Sequence, residues 1–349
     1  MHRSNPSQLA RGYATAVASA ATLATTAIFV RHLTLDYHMP PLALSFWREV
    51  FVAASTGALL YLSGLLSRGS RRASGRATAT GQTARPDDSS SANLGGFREI
   101  AKAPLRVSAT DLRYLTAFGL VVAIMNATWT MTVALTGAAV ATVLVYSSAA
   151  FTAVLGWLFL HERLGLPKLL AVALTITGCA LVSGVWGMAA RQVNLAGLVV
   201  GLLSGLFYAV YSLFGRSASQ RGLNPWTTLL FSFGIASLFL LASHFLPPGT
   251  LPGANPRAAD IFFLGRQASG WLVLLALAAG PTLAGFGLYN VSLSLLPSST
   301  ANLIVTMEPA FTAVLAYALL HERLTPTQVV GGLVILSGVL LVRLSESRT

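Results

Sequence analysis

Residues Ala141 to Leu164 read ATVLVYSSAAFTAVLGWLFLHERL, and residues Ala301 to Leu324 read ANLIVTMEPAFTAVLAYALLHERL. An offset of 160 residues converts one register into the other without a gap, and about half of the paired positions are identical. The match thins but keeps register through Gly178 and Gly338 to Leu181-Val182 and Leu341-Val342. Shared hydrophobicity does not produce identity of this kind, so the chain is a duplicated unit.

The material of that unit is apolar. The sequence is 54% hydrophobic and 10% charged, with a mean hydropathy of +0.67, where a soluble domain carries about 25% charged residues. This is the composition of an all-α polytopic membrane protein. The net charge of +12 does not mark a nucleic-acid partner, because the bases lie between apolar segments and not on one amphipathic face. The single cysteine, Cys179, lies inside an apolar run, which excludes an internal disulfide and a cysteine-based zinc site.

Ten spans are predicted. Tyr13 to Val30, preceded by Arg3 and Arg11, resembles a signal peptide, with Ala18-Ser19-Ala20 as a small-residue pattern. It is read as a retained span because Gly197 to Arg216 is its counterpart, with Ser204, Phe214 and Arg216 opposite Ser19, Phe29 and Arg31. The others are Pro41 to Leu66, Arg113 to Ala134, Ala138 to Leu160, Pro167 to Gly187, Leu195 to Gly215, Trp226 to Leu246, Gly270 to Leu295, Ser299 to Leu320 and Pro326 to Leu344. Residues 67–111, rich in Ser, Gly, Ala and Arg, read as a disordered basic linker within the first repeat. Its end, Phe97 to Val107, is suited to the membrane surface through Lys102 and Arg106. The expected organisation is a tail (1–10), a first five-span repeat (11–187), a second (188–344) and a C-terminal tail (345–349).

Assigning the two termini, the linker, Arg163 to Lys168 and Arg216 to Arg221 to the cytoplasm collects most of the bases, leaving Arg31, Arg191, Arg257, Arg266 and Arg323 outside. Five spans per repeat, an odd number, then place the copies in opposite orientations. Inverted repeats of this kind are the architecture of secondary transporters, which bind substrate near the bilayer midplane.

The doubled pattern of an apolar Pro-containing helix, the HERL corner and a following helix with its late Gly resembles the EamA-type repeat of the drug/metabolite transporter superfamily. LFYAVYSLFGR is similar to the first helix of such a repeat, and SFWREVF to its arginine-bearing second helix. The resemblance implies a ten-helix carrier of the cytoplasmic (inner) membrane, often an exporter of amino acids, their analogues or small toxic metabolites. It also usually places Pro where this chain has Ala149, opposite Pro309, so the two halves are free to break their helices differently.

Several residues are candidates for binding or coupling. Glu308 lies near the middle of the ninth span, where an ionised acid costs about 2.5 to 3.5 kcal/mol and should face the bundle or water. Pro309 beside it marks a helix break that frees backbone groups to line a cavity. Glu308 either binds a substrate amine or carries a coupling proton, or it pairs with Arg48 or caps freed backbone and only holds the halves together. Thr312 lies one turn further on the same face, with Ser148 and Thr152 at the matching places in the first copy; packing between helices is the competing role for Thr152. Arg48 and Glu49, being adjacent, leave the helix about 100° apart and are not expected to pair face to face. Arg48 is either a carboxylate anchor or a structural partner for Glu308 or Glu49. Trp129-Thr130 fall opposite Tyr289-Asn290, with Asn126 a turn earlier, and with Tyr208 and Tyr211 they offer aromatic walls and hydrogen-bonding points.

Neither HERL corner has the second His of a zinc-binding H-E-x-x-H, so both read as structural corners on opposite membrane faces. No metal or cofactor is expected. No phosphate-binding loop occurs, which argues against direct ATP drive. An intramembrane enzyme fails for want of an Asp in any span or a His at a span centre. The expected activity is therefore export by alternating access, with a small-molecule substrate, protons as candidate coupling ion and the bilayer as partners; a homodimer is compatible with it. An importer fits the same architecture. A membrane scaffold acting through the basic linker is the other class, and deletion of Arg71 to Asn93 separates it from transport.

Overall fold

A computed structural model describes residues 6–78, 107–182, 195–247, 249–251, 257–320 and 325–346. Among these, seven helical stretches are long and apolar enough to cross a membrane: Ser7–Leu35, Ala109–Gly137, Val140–Leu160, Leu195–Gln220, Pro225–Ser243, Ala268–Leu295 and Pro326–Ser345. The three other predicted spans also fall on helix. They are α3 (Pro41–Thr78), which carries Arg48 and Glu49, the 17-residue α6 (Leu166–Val182), and a broken pair, α11 (Ser298–Val305) and α12 (Glu308–Leu320). Large apolar side chains such as Trp157, Phe159, Leu166 and Leu195 are exposed, which a bilayer and not water would cover. The protein is a polytopic, helical membrane protein.

The remaining helices are α1 (Pro6–Ala24), α2 (Thr26–Leu35), α4 (Ala109–Tyr146), α5 (Ser148–Leu160), α7 (Leu195–Gln220), α8 (Pro225–Ser243), α9 (Ala268–Leu277), α10 (Leu283–Leu295) and α13 (Pro326–Glu346). The expected linker is shorter than its composition suggested, because α3 continues to Thr78, across Gly69 and Gly75. At its other end Ser108 caps α4 by accepting from the Asp111 amide at 3.1 Å. Residues 79–106, 183–194 and the second HERL corner lie outside the described residues.

The two halves break their helices at the same register. The first copy turns at Tyr146-Ser147 and restarts at Ser148; the second turns at Thr306-Met307 and restarts at Glu308, both 160 residues later. Ala149 in place of Pro leaves the halves free to break differently, yet both break here. Pro309 sits in the first turn of α12, where its missing amide hydrogen costs little, so the break does not depend on it. In the first copy the Ser147 hydroxyl satisfies the Leu144 carbonyl at 2.6 Å, and in the second Thr306 does the same for Leu303 at 2.5 Å. Gly137 (φ 79°) ends the long part of α4, opposite Pro297 before α11.

Packing repeats the duplication. Helix α4 packs on α7 as α10 packs on α1, and α6 crosses α13. At that crossing a Cβ on Gly178 would lie 2.7 Å from the Gly331 carbonyl, and one on Gly338 would lie 2.9 Å from the Ala171 carbonyl. The two contacts exchange under the 160-residue offset, as a two-fold relation between the halves requires. Gly12 against Leu296 and Gly197 against Thr136 form a second exchanged pair, in which the glycines follow the alignment of the first spans that sets Ser19 opposite Ser204. The absence of side chains lets backbones approach closely where no hydrophobic force draws helices together in lipid.

Candidate functional site

The middle of the bundle is polar. Three tyrosines meet there: Tyr211 stacks on Tyr289 with centroids 6.0 Å apart and 9° between planes, and Tyr208 lies edge-on to Tyr289 at 5.9 Å. All three are buried, and each has a spacing reason: Tyr208 and Tyr211 are one turn apart on α7, while Tyr289 is on α10. The Tyr211 hydroxyl donates to Asn290 Oδ1 at 2.9 Å, and the Tyr289 hydroxyl shares a 2.7 Å hydrogen bond with Ser212. Asn302 of α11 is the hub. Its Nδ2 donates to Ser212 Oγ and to the Tyr289 oxygen, each at 3.1 Å, while Ser148 donates to its Oδ1 at 3.2 Å. Ser148 opens α5 of the first half, so this network joins the two halves at the helix break.

Glu308 opens α12 beside that break, partly buried. Its carboxyl lies beside Tyr146, the last residue before the break in the first half, and within electrostatic reach of Tyr208 and Cys179. The acid thus faces residues from the partner repeat.

Arg48, Asn126 and Trp129 form a second buried cluster. Arg48 Nη2 donates to Glu49 Oε1 at 3.2 Å and to Asn126 Oδ1 at 2.5 Å, and its guanidinium lies 5.6 Å from the Trp129 ring centroid. Neighbours on a helix do not meet face to face, yet Arg48 and Glu49 bond through the end of the arginine side chain. The helix sets their Cα–Cβ bonds about 100° apart, but the flexible arginine chain folds back across that gap. Of the open choices, Glu49 rather than Glu308 is the acid bonded to Arg48. Ser45 extends the cluster to Thr130 at 3.1 Å, and Glu49 lies within electrostatic reach of Tyr211, which links the two clusters. Arg48 Nε, Glu49 Oε2, Asn126 Nδ2 and Asn290 Nδ2 are buried without a hydrogen-bond partner among the described residues. Such atoms cost free energy unless something pairs with them.

The profile of the EamA-like transporter family matches residues 93–184 and 195–344, more than half of the chain. The chain belongs to that family. An uncharacterized transporter of Archaeoglobus fulgidus is 28% identical to this EamA-like protein over 207 residues, 59% of this chain and 67% of that protein. An uncharacterized transporter of Synechocystis is 30% identical over 203 residues, 55% of this chain and 54% of that one. The threonine/homoserine exporter RhtA of Escherichia coli K12 is 31% identical over 156 residues, 42% of this chain and 46% of that exporter. The chain therefore spans between about half and two thirds of these relatives. A solved crystal structure with 15% sequence identity covers 97% of this chain, and 99% of its own, at a TM-score of 0.64, which establishes the fold.

Within this EamA-like fold the sequence-derived candidates divide. Tyr208, Tyr211, Tyr289, Asn290 and Ser148 come together in one network, and Arg48, Asn126 and Trp129 in the neighbouring one. Thr312 stays out of both: its hydroxyl bonds the Glu308 and Ala24 carbonyls at 3.0 and 3.3 Å, a packing role. Thr152 is buried, its hydroxyl without a hydrogen-bond partner among the described residues. The tyrosines pack on one another, and Tyr211 also on Phe118 and Phe286.

Asn302, Ser212 and Tyr146 were not singled out by the sequence. A signal existed for one of them: Asn302 is an amide at the start of the repeated stretch itself, opposite Thr142, where lipid-facing sequence would carry an apolar residue. Nothing local distinguishes Tyr146 or Ser212 from packing residues.

Proposed function

We propose that this chain is a secondary transporter of the cytoplasmic membrane that exports small metabolites such as amino acids by alternating access. Ten crossings in two inverted five-helix repeats carry it, with both termini in the cytoplasm. The observation behind this reading is the Asn302 network: polar side chains from both halves converge where each half breaks its helix at the same register. Transporter folds place substrate where broken helices of two repeats meet. The corners bearing Glu162 and Ser298 meet at one end of the bundle, as the basic-loop assignment requires if both are cytoplasmic. The name of RhtA, threonine/homoserine exporter, favours small amino acids as the first substrates to try.

Glu308 is assigned the coupling role. It is an acid at a helix break, in contact with the other repeat through Tyr146, and protonation would change that contact during the cycle. The test is purified protein in liposomes, with a panel of amino acids and cationic metabolites under an imposed pH gradient, comparing wild type with Glu308→Gln. Gradient-driven flux that Glu308→Gln abolishes while substrate still binds is the expected result. Equal flux in both returns Glu308 to a structural role.

A further inference from the structure

The first HERL corner does more than turn the chain. Helix α5 ends in a left-handed residue, His161 (φ 53°), and the Glu162 amide bonds back to the Gly156 carbonyl at 3.0 Å, the six-residue closure of a Schellman end. This turn aims the Glu162 side chain at the second half. Its Oε1 accepts from the Ser298 amide and hydroxyl, both at 2.6 Å; its Oε2 accepts from the Ser299 amide at 3.1 Å and from the Ser299 hydroxyl. Lys168 adds a 2.9 Å bond to the Ser299 hydroxyl. On the other side of Leu296-Pro297, Arg216 donates to the Leu293 and Ser294 carbonyls at 3.0 and 3.1 Å. An acid holds the start of α11 and a base holds the end of α10, each sign matched to the helix end it meets.

The sequence repeats this arrangement only in part. The offset sets Ser298 and Ser299 opposite Ala138 and Ala139, and Gly156 opposite Ala316, so the sequence repeats the acid but neither the hydroxyls nor the glycine. That glycine matters, because a Cβ at residue 156 would lie 2.9 Å from Glu162 Oε2 and 3.3 Å from Ser298 Oγ. The clasped helix is also the one that carries Asn302 and ends at the break before Glu308. Releasing its start therefore moves both.

We propose that Glu162 is a positioning residue for transport and the latch of the gate at this end: its carboxylate, clasped to Ser298 and Ser299 of the other repeat, holds α11 closed over the central network, and its release opens that network to this membrane face. The proposal rests on the transport reading above.

The chain supplies its own reporter. Cys179, the single cysteine, is buried with its Sγ 3.6 Å from the Thr306 carbonyl, and it lies about 16 Å along α6 from Lys168. The experiment applies a membrane-impermeant maleimide separately to each face of oriented vesicles holding wild type, Glu162→Ala, Glu162→Asp or Lys168→Met. Glu162→Ala is expected to label Cys179 about tenfold faster from the face bearing the corner, the shift that loss of a charge-assisted hydrogen bond gives. Labelling from the opposite face should not change, and substrate flux should fall. Glu162→Asp should restore part of both, and Lys168→Met, a milder change that preserves the acid, should shift labelling the same way by less. Unchanged labelling in both Glu162→Ala and Lys168→Met overturns the proposal, as does acceleration equal from both faces, which is general loosening. Wild-type vesicles that carry no substrate under any gradient overturn the transport reading instead, and the face-specific labelling then decides the gate by itself.

Discussion

Ser148 and Asn302, 154 residues apart in the chain, hydrogen-bond at 3.2 Å where the two halves break their helices. Asn302→Leu removes this bond and both donors to Ser212 and Tyr289 in one step. Hydrogen bonds between membrane helices are worth about 0.6 kcal/mol on average and at most about 1.7. The variant should therefore lose roughly 1–3 kcal/mol, since buried partners are left unpaired as well. In a double-mutant cycle read by thermal unfolding in detergent, Ser148→Ala should cost less in the Asn302→Leu background than alone. Strict additivity would mean that the bond couples nothing.

Arg48 and Glu49 should behave as a unit. Both are almost fully buried, at 3% and 0% exposure, so Arg48→Met leaves a buried acid uncompensated, at a cost of about 3–5 kcal/mol. Replacing both by Met should recover much of that loss. A double variant no more stable than Arg48→Met would show that the arginine contributes through packing on Trp129 rather than through charge.

Gly178→Ala and Gly338→Ala should be destabilising to a similar degree, because each forces a Cβ onto a backbone carbonyl across the α6–α13 crossing. Overpacking of this kind costs about 1–3 kcal/mol. Gly64→Ala is the control: a Cβ there meets nothing within 4 Å, and in a helix the change should be neutral or mildly stabilising. Equal melting of all three variants would remove the crossing as a tight contact.

At the opposite end from Glu162, Trp47 pins the short helix Ala258–Phe262. Its Nε1 donates to the Ile261 carbonyl at 2.5 Å, and its ring meets Trp271 at 4.9 Å. Trp47→Phe keeps the ring and loses the bond. Limited trypsin digestion should then cut at the exposed Arg257 or Arg266 several-fold faster, since local opening governs such cleavage. Unchanged cutting would mean that the rings alone hold the segment.

Much of the fold was legible in the chain because its cues are local. Apolar run length fixes the helices, and the in-register copies at Ala141 and Ala301 fix the duplication, which the exchanged contacts of Gly178 and Gly338 then repeat in space. The gathering of Tyr208, Tyr211, Tyr289 and Asn290 was legible for the same reason: polar and aromatic residues within apolar helices must face protein.

The tertiary structure decided the pairings. Helical geometry directs the Cα–Cβ bonds of Arg48 and Glu49 apart, yet a long guanidinium chain closes the gap once burial leaves it no water. Helix breaking at Tyr146-Ser147 needs no proline, because serine and threonine hydroxyls satisfy the freed carbonyls. Glu162 reads as a helix-end charge in its own copy; only the arrival of the α11 amides, 136 and 137 residues later, gives its carboxylate a partner. The sequence by itself determined which segments are helices and that there are two related sets of them, since both follow from neighbours along the chain. Which polar atoms meet was decided by how those sets dock, since a hydrogen bond depends on atoms brought within about 3 Å by packing and on no spacing along the chain.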